Sequence, residues 1–316
     1  MVAAVTVVAG VATIWEVWLR SALTSRNRSH SPTRHVPTPP SAAEAVVRIS
    51  REVPRAAAVV NDDLKVALKL ALQKYVRTGR IWSTFVDLGV RFGRDSIVRA
   101  ADGGNVDALF LLAMVTMNGP LYDGSLDIEK ATIDAIALFQ KGAALHDPGA
   151  TGITALLYDG EHFEVNRQLS RTLITNAIAT NDPRALLAYA EMLERGKCGI
   201  DEDLSEAERV YLRAIAQGSS YAKLCLGQLY RSKFGREEEG LRLIDEAAFD
   251  DVIDAKVEKV KLEVSKDDRP LDWLIGYKFG KKMTEIGKSY IEEIIGDRDL
   301  TRYDRDQLGN WLKTVE

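Results

Sequence analysis

The chain has 316 residues, of which 46% are hydrophobic and 28% charged, values that are typical of a globular protein. The formal net charge of −4 is unevenly distributed, because residues 1–60 carry seven arginines and three glutamates, so the remaining residues carry −8. A body with this acidic balance excludes nucleic acid as the expected partner, since binding to phosphates needs clustered basic residues.

Residues 2–19 form an apolar run with one charged residue, Glu16. As a helix this run would be roughly 27 Å long, which is close to the thickness of the hydrocarbon core of a bilayer. Trp15 and Trp18 beside Arg20 are typical of side chains at a membrane interface. A secretory signal would place its basic residues before the apolar run, whereas here they follow it. The sequence therefore predicts an apolar anchor or targeting segment over 1–23.

A linker rich in arginine, serine and proline follows over 24–40. Its composition suits the region next to a membrane anchor, and it also suits a cleaved mitochondrial targeting segment. A leader without function is the third interpretation. We expect the protein in the mitochondrion, anchored in a membrane through residues 2–19. The alternatives are the endoplasmic reticulum membrane, with the body facing the cytosol, and a soluble chain after cleavage.

From residue 41 onwards the sequence predicts helices separated by short turns. The segment 41–104 is predicted to hold the N-terminal helices and a first, degenerate repeat. Helices are expected over 41–53 and 56–77, and the second of them has one apolar stripe made of Leu64, Leu68, Leu72 and Tyr75. Turns are expected at 102–105, 118–120, 146–149, 181–183 and 217–220. No segment alternates with a period of two, so the predicted fold class is all-α.

A short motif recurs along most of the chain. In residues 222–230, AKLCLGQLY, an alanine is followed by leucine and glycine four and five positions later and by tyrosine eight positions later. The same frame fits more weakly at Ala67, Ala108, Ala150, Ala185 and Ala255. Positions 0, 4 and 8 lie on one stripe of a helix, while a small residue at position 5 lets two backbones approach closely. Position 5 is small in every clear unit except the first, which has Leu72: Ala113, Ala155, Ala190 and Gly227.

The motif at 222–230, with EGLRLIDEAA at 239–248, resembles the Sel-one-like repeat, a relative of the tetratricopeptide repeat. Residues 184–196, RALLAYAEMLERG, look like a fuller second copy, while DIEKA at 127–131 and QKGAA at 140–144 match later elements of another copy. The resemblance is good over roughly 100–250, and the repeats are predicted over 105–266. It implies a right-handed α-solenoid of antiparallel helix pairs that binds proteins, and it carries over no catalytic residue and no cofactor.

In tetratricopeptide-type units the first helix lines the concave face, so the resemblance assigns partner binding to positions −1, 2, 6 and 9 of the frame. These positions are Asp107, Phe110, Met114, Met117, Arg184, Leu187, Glu191, Glu194, Tyr221, Leu224, Gln228 and Arg231. Apolar side chains such as Phe110, Met114 and Met117 in an open groove suit a docking helix or peptide. The alternative is that an N-terminal helix, such as 41–53, folds across the groove and makes them part of the core.

The last segment, 267–316, departs from the repeat and is predicted to contain C-terminal capping helices, over 283–295 and 301–314. The last repeat of a solenoid exposes an apolar face that needs a cover. Trp273, Phe279 and Trp311 are the candidates for that cover. The alternative for these aromatic residues is a docking patch for a partner.

No motif in the sequence indicates catalysis. The phosphate-binding, dinucleotide-binding, serine hydrolase and zinc protease motifs are missing. The four histidines are scattered and none has a partner at metal-ligand spacing: His30, His35, His146 and His162. Cys198 and Cys225 are too few for a disulfide framework, so we expect packing thiols in a reducing compartment. We predict no enzyme, no metal, no cofactor and no small-molecule substrate.

The leading hypothesis is a membrane-anchored helical-repeat adaptor that holds a protein or peptide on its concave face, in assembly or quality control of a mitochondrial complex. The second hypothesis is a structural subunit of a larger complex with no regulated ligand. The third is an enzyme whose site the sequence does not reveal.

Overall fold

The computed structural model describes residues 62–123, 128–158, 166–265 and 290–313. All regular structure in these ranges is helical, as the sequence predicts. The predicted anchor with Trp15, Trp18 and Arg20, the linker over 24–40 and the helix over 41–53 lie outside the described residues. None of the helices in the described ranges combines the length and the apolar character needed to cross a membrane.

Thirteen α-helices lie wholly in the described ranges, and residues 290–295, the end of the helix predicted over 283–295, are helical as well. The first six are α1 (Asp62–Thr78), α2 (Trp82–Phe92), α3 (Arg94–Asp102), α4 (Val106–Asp123), α5 (Ile128–Ala144) and α6 (Pro148–Leu156). The next four are α7 (Arg167–Ile178), α8 (Pro183–Arg195), α9 (Leu204–Ala216) and α10 (Ser220–Leu229), which continues into a π-helical turn, Tyr230–Phe234. The last three are α11 (Glu237–Phe249), α12 (Ile253–Ser265) and α13 (Arg302–Lys313).

The alanines of the repeat frame are among the most deeply buried residues. Their relative exposure is at most 1% in α4, α6, α8, α10 and α12: Ala108, Ala150, Ala185, Ala222 and Ala255. Ala67 in α1 is only partly buried. The frame therefore describes helix packing from α4 to α12, whereas α1 does not follow it.

Helix caps explain where several repeat helices begin. The Asp147 side chain accepts a hydrogen bond from the backbone N–H of Ala150 at 2.7 Å, and Pro148 occupies the first turn of α6. Asp182 caps α8 in the same way, with Pro183 in its first turn. Ser219 accepts from the N–H of Ala222 at the start of α10. These caps satisfy backbone N–H groups that the first turn of a helix leaves unpaired. The helices start at the caps, and the turns predicted before α6, α8 and α10 are therefore confirmed.

The turn predicted at 118–120 is wrong, because α4 continues through it to Asp123. Proline removes one backbone donor and restricts the residue before it. That preceding residue is Gly119, which has no Cβ to clash with the proline ring. The Asn118 side chain, two residues before the proline, donates a hydrogen bond to the Met114 carbonyl of the preceding turn at 2.8 Å.

Helices α4 to α12 pack in chain order, each against the next. Helix α6 also packs against α8, and α2 against α4, in each case two helices further along. Contacts over a longer range come from the ends of the described chain, because α1 packs against α4 and α10, and α13 packs against α4. The terminal elements therefore lie back across the repeats. The predicted helix over 301–314 agrees with α13, whereas Trp273, Phe279 and the Trp311 side chain lie outside what the structure describes.

A buried arginine joins the two ends of the described chain. Arg80, between α1 and α2, donates to the carboxylates of Asp251, Asp297 and Asp299 at 2.9, 2.7 and 3.2 Å. The backbone N–H of Ser83 also donates to Asp299 at 2.9 Å. These bonds fasten the start of α2 to the turn before α12 and to the turn before α13.

Candidate partner-binding cavity

All twelve residues predicted to face a partner are at least partly buried. Seven of them, from α4, α8 and α10, line one cavity of about 120 Å³ that is partly open to the surface: Phe110, Met114, Met117, Arg184, Leu187, Glu191 and Tyr221. The other five lie outside this lining: Asp107, Glu194, Leu224, Gln228 and Arg231. The structure thus brings equivalent positions of three repeats together, and their role in binding stays a prediction.

Several of the five outlying residues have other contacts. The Tyr211 hydroxyl donates to the Glu194 carboxylate at 2.9 Å, and burial raises the pKa of Glu194 despite this bond. Arg231 donates to Glu237 at 2.9 Å. Leu224 belongs to the apolar core of the C-terminal repeats. These side chains therefore take part in packing and in pairs between neighbouring elements.

Helix α1 covers the face on which the cavity lies. The rings of Tyr75 and Phe110 have centroids 5.8 Å apart, and the Tyr75 hydroxyl lies 3.8 Å from the sulfur of Met114. At the end of α1, a Cβ on Gly79 would lie 2.9 Å from the Tyr221 ring. Helix α1, with the apolar stripe that includes Tyr75, thus covers this face, whereas the helix over 41–53 that was the alternative cover lies outside the described residues.

The repeat frame misses the lining residues that come from other positions and other elements. Examples are Tyr75, Ile81, Asn118, Ile253, Asp254 and Asp299. The apolar stripe of α1 was a signal for Tyr75, because a stripe on an N-terminal helix needs a surface to cover. The polar residues gave no such signal, since their place depends on contacts between distant parts of the chain.

Arg184 forms the charged wall of the cavity, and its hydrogen-bonding groups are already engaged. It donates to Asp147 at 2.9 Å and to Asp182 at 2.8 Å, and its guanidinium carbon lies 4.4 Å from the centre of the Phe110 ring. Burial alone would lower the pKa of Arg184, but the hydrogen bonds and charges of Asp182 and Asp147 outweigh it and raise the pKa. The cavity therefore holds no uncompensated positive charge from Arg184.

Asn118 is the polar side chain of the lining with an unused acceptor. It is 2% exposed, and its Nδ2 donates to the Met114 carbonyl. Within the described residues, Asn118 Oδ1 is the one buried side-chain oxygen or nitrogen that has no hydrogen-bond partner. Such a group is costly to bury without a partner.

The tyrosines of the cavity are neutral. Burial raises the pKa of both Tyr75 and Tyr221, so their hydroxyl groups stay protonated near neutral pH. Among the described residues, no group of three or more His, Cys, Asp or Glu side chains is placed to hold a metal ion. The arrangement can hold an apolar group.

The cysteines and the described histidine are not themselves lining residues of the cavity. Cys198 and Cys225 are buried and form no disulfide, and the Cys198 thiol donates to the Leu156 carbonyl at 3.3 Å. His146 lies in the turn before α6 with a positive φ of 62°. His30, His35 and His162 lie outside the described residues.

A second groove, of about 500 Å³, lies between α2, the start of α3, α4 and α5. Its lining includes Trp82, Arg94, Lys130 and Asp134. Charges of both signs occur there on exposed side chains, and none of the twelve predicted residues takes part. The groove therefore adds no support to the predicted site.

No protein-family model matches the chain, and a search of curated proteins found no match. Among solved structures, one similar chain is a Sel1 repeat protein from Oxalobacter formigenes, with 17% identity and a TM-score of 0.41 over 87% of this chain and 96% of that one. Another is c5321, described as a protective antigen of uropathogenic Escherichia coli strains that displays an SLR fold. It has 16% identity and a TM-score of 0.39 over 78% of this chain and 64% of its own. These structural neighbours are Sel1 repeat proteins.

Proposed function

We propose that this chain is a helical-repeat adaptor without catalytic activity, which holds a side chain of a protein or peptide partner in the cavity between α4, α8 and α10. The observation that carries the proposal is the convergence of equivalent positions from three repeats on one mostly apolar cavity. Stacked repeats build binding surfaces in this way, since each unit contributes the same positions. The finer fold in this proposal is a right-handed solenoid of antiparallel helix pairs over 105–266.

How deeply each lining residue is buried determines which substitution can test the proposal. Phe110 is 2% exposed, so a charge there would disrupt the core before it could block a partner. Leu187 also lines the cavity but is only partly buried. A lysine at this position can reach Glu191, four residues later on the same helix, which limits the cost to folding. Leu187→Lys therefore places a charged group at the cavity while preserving the helix.

The test is selection of peptides by the full-length chain from a random display library, followed by titration of the selected peptides. We expect Leu187→Lys to weaken their binding at least about tenfold, the effect of roughly 1.4 kcal/mol. The matched control is Leu212→Lys on α9, because Leu212 is an exposed leucine outside the cavity lining. Selection of no peptide, or equal binding by both variants, would contradict the proposal.

The location in the cell is part of the proposal and has its own test. The apolar run over 2–19, followed by arginines, supports an anchored protein of the mitochondrial membrane. We expect the full-length chain to stay in the membrane pellet after carbonate extraction of isolated mitochondria. A shortened chain in the supernatant would instead identify residues 1–40 as a cleaved targeting segment, and a chain in another cell fraction would contradict the mitochondrial location.

A structural subunit is the second candidate, and exposed apolar side chains favour it. Phe249 at the end of α11 is 91% exposed and Val90 on α2 is 85% exposed. Val66 and Leu70, one turn apart on α1, are also exposed. A permanent complex would bury such residues. A monodisperse monomer in solution, measured by light scattering, would count against this candidate.

A further inference from the structure

We infer that the outer face of α1 lies against a membrane surface that contains anionic lipids. This outer face is made of the exposed side chains of Lys65, Val66, Lys69, Leu70, Gln73 and Arg77. The inference rests on the proposed membrane location, because it names the surface of the body that meets the lipid. It follows from the exposed apolar residues of α1, from the basic residues around them and from the distribution of charge along the chain.

Helix α1 has apolar side chains on two opposite sides. One side is fixed in the core, where Leu68 is fully buried. On the other side, Val66, Leu70 and Arg77 lie four and then seven positions apart, so they share one stripe of the helix. Val66 is 60% exposed and Leu70 is 59% exposed. Water is an unfavourable environment for these two side chains, and a lipid surface would remove them from it.

Basic side chains surround the two apolar ones. Lys65 pairs with Asp62 at 3.0 Å, whereas Lys69, Lys74 and Arg77 form no ion pair within the described residues. The acidic residues of α1 are confined to its first turn, before this patch. Apolar side chains between lysines are typical of helices that lie in the plane of a membrane surface. Their methylene stems cover apolar surface while the ammonium groups stay among the lipid headgroups.

The distribution of charge distinguishes this part of the chain from the repeats. Residues 62–99 carry eight basic and four acidic residues, so the first 99 residues carry +8 and the remaining residues carry −12. An anionic surface attracts the first part and repels the second, and each lysine or arginine near such a surface strengthens binding about fivefold. An acidic protein would also attract these cations. The apolar run over 2–19, which precedes α1 together with a net charge of +4 in residues 1–60, favours a lipid surface.

The experiment places a fluorophore that responds to apolar surroundings on the outer face of α1 in the full-length chain. Leu70→Cys supplies the attachment site, and Leu212→Cys on α9 is the matched control, because Leu212 is also an exposed leucine. The wild type is treated with the same reagent, which measures any label on the buried Cys198 and Cys225. The labelled chains are bound to vesicles of phosphatidylcholine alone or of phosphatidylcholine with phosphatidylglycerol, and the bound chains are isolated by flotation.

We expect the emission of the Leu70→Cys label to rise and to shift to shorter wavelength on vesicles that contain phosphatidylglycerol, and to change much less on neutral vesicles. The Leu212→Cys label should change on neither. The further substitutions Lys69→Gln and Lys74→Gln remove two exposed or partly exposed cations. They should move the equilibrium of the outer face about 25-fold away from the lipid, since each cation contributes about fivefold.

Three results would overturn the inference. They are an unchanged emission of the Leu70→Cys label on anionic vesicles, an equal change of the Leu212→Cys label, and a full response that persists in the lysine variant. A Leu70→Cys label that responds only after another protein is added would also overturn it, because the outer face would then bind protein. Failure of the proposed location looks different, since it shows in carbonate extraction, and failure of the adaptor proposal shows in peptide selection.

Discussion

Gly227 in α10 shows at the residue scale why the repeat keeps a small side chain at position 5. A Cβ at Gly227 would lie 2.8 Å from the Gly240 carbonyl oxygen and 2.9 Å from Ile244, so α10 and α11 cross here with their backbones in contact. Ala113, Ala155 and Ala190 occupy the same position in other units and have no exposed surface. The close approach of paired helices therefore depends on single small residues at position 5.

The substitution Gly227→Ala tests this contact. The added methyl group meets backbone, which cannot rotate away, so α10 and α11 must separate. We expect a destabilisation of about 1–3 kcal/mol, the usual cost of overpacking, although alanine favours helix more than glycine does. Thermal and urea midpoints measure the effect.

Gly89→Ala is the matched control for that substitution. Gly89 also lies inside a helix, α2, but a Cβ there meets nothing within 4 Å. We expect this variant to be more stable than the wild type by up to about 1 kcal/mol, because only helix propensity changes. Midpoints that move in the same direction for both variants would contradict the packing argument.

At the scale of elements, local signals predicted the repeat helices well. The caps Asp182 and Ser219 determine where α8 and α10 start. Each cap lies three residues before an alanine of the repeat frame, so both signals can be recognised in a short stretch of sequence. The turn at 118–120 was mispredicted because proline usually stops a helix, whereas Gly119 lets α4 continue. Sequence reasoning thus succeeded where the deciding residues are neighbours in the chain.

The cover of the cavity could not be predicted in this way. Tyr75 contacts Phe110 and Met114 of the next unit, and Gly79 contacts Tyr221, which lies far along the chain in α10. The apolar stripe of α1 predicts a buried face but does not identify the helices that bury it. Asn118 was also missed, since an unpaired acceptor is a property of the assembled cavity.

At the scale of the whole molecule, a cluster made of Arg80, Asp251, Asp297 and Asp299 holds the terminal elements against the repeats. Arg80 reaches three carboxylates that lie 171 to 219 positions later in the sequence. Burial alone would raise the pKa of Asp297, but hydrogen bonds from Arg80 and from the Asp299 backbone N–H hold it below its usual value. Burial likewise acts against the charge of Asp251, whose pKa is lowered by Lys256 and Arg80.

The substitution Arg80→Met removes the cation and leaves these carboxylates close together. We expect a destabilisation of about 3–5 kcal/mol at pH 7, the cost of breaking a buried ion pair from one side. The matched control is Arg298→Met, because Arg298 pairs with Asp87 at 3.2 Å between the same two regions but is exposed, and exposed pairs contribute about 0–1 kcal/mol. Equal urea midpoints for the two variants at pH 7 would contradict a role for the cluster.

The pH dependence of the unfolding free energy is a second test of the same prediction. In the wild type, the depressed pKa of Asp297 contributes stability above about pH 4 that is lost as the pH falls through its folded-state pKa. In Arg80→Met the nearby carboxylates repel one another, so the pKa of Asp297 rises and protonation relieves the repulsion. The difference in unfolding free energy between wild type and Arg80→Met should therefore shrink as the pH falls from 7 to about 3.5, because the wild type loses stability over that range while the variant loses less. A difference that stays constant with pH would mean that packing of the arginine stem, and not its charge, holds the terminal elements in place.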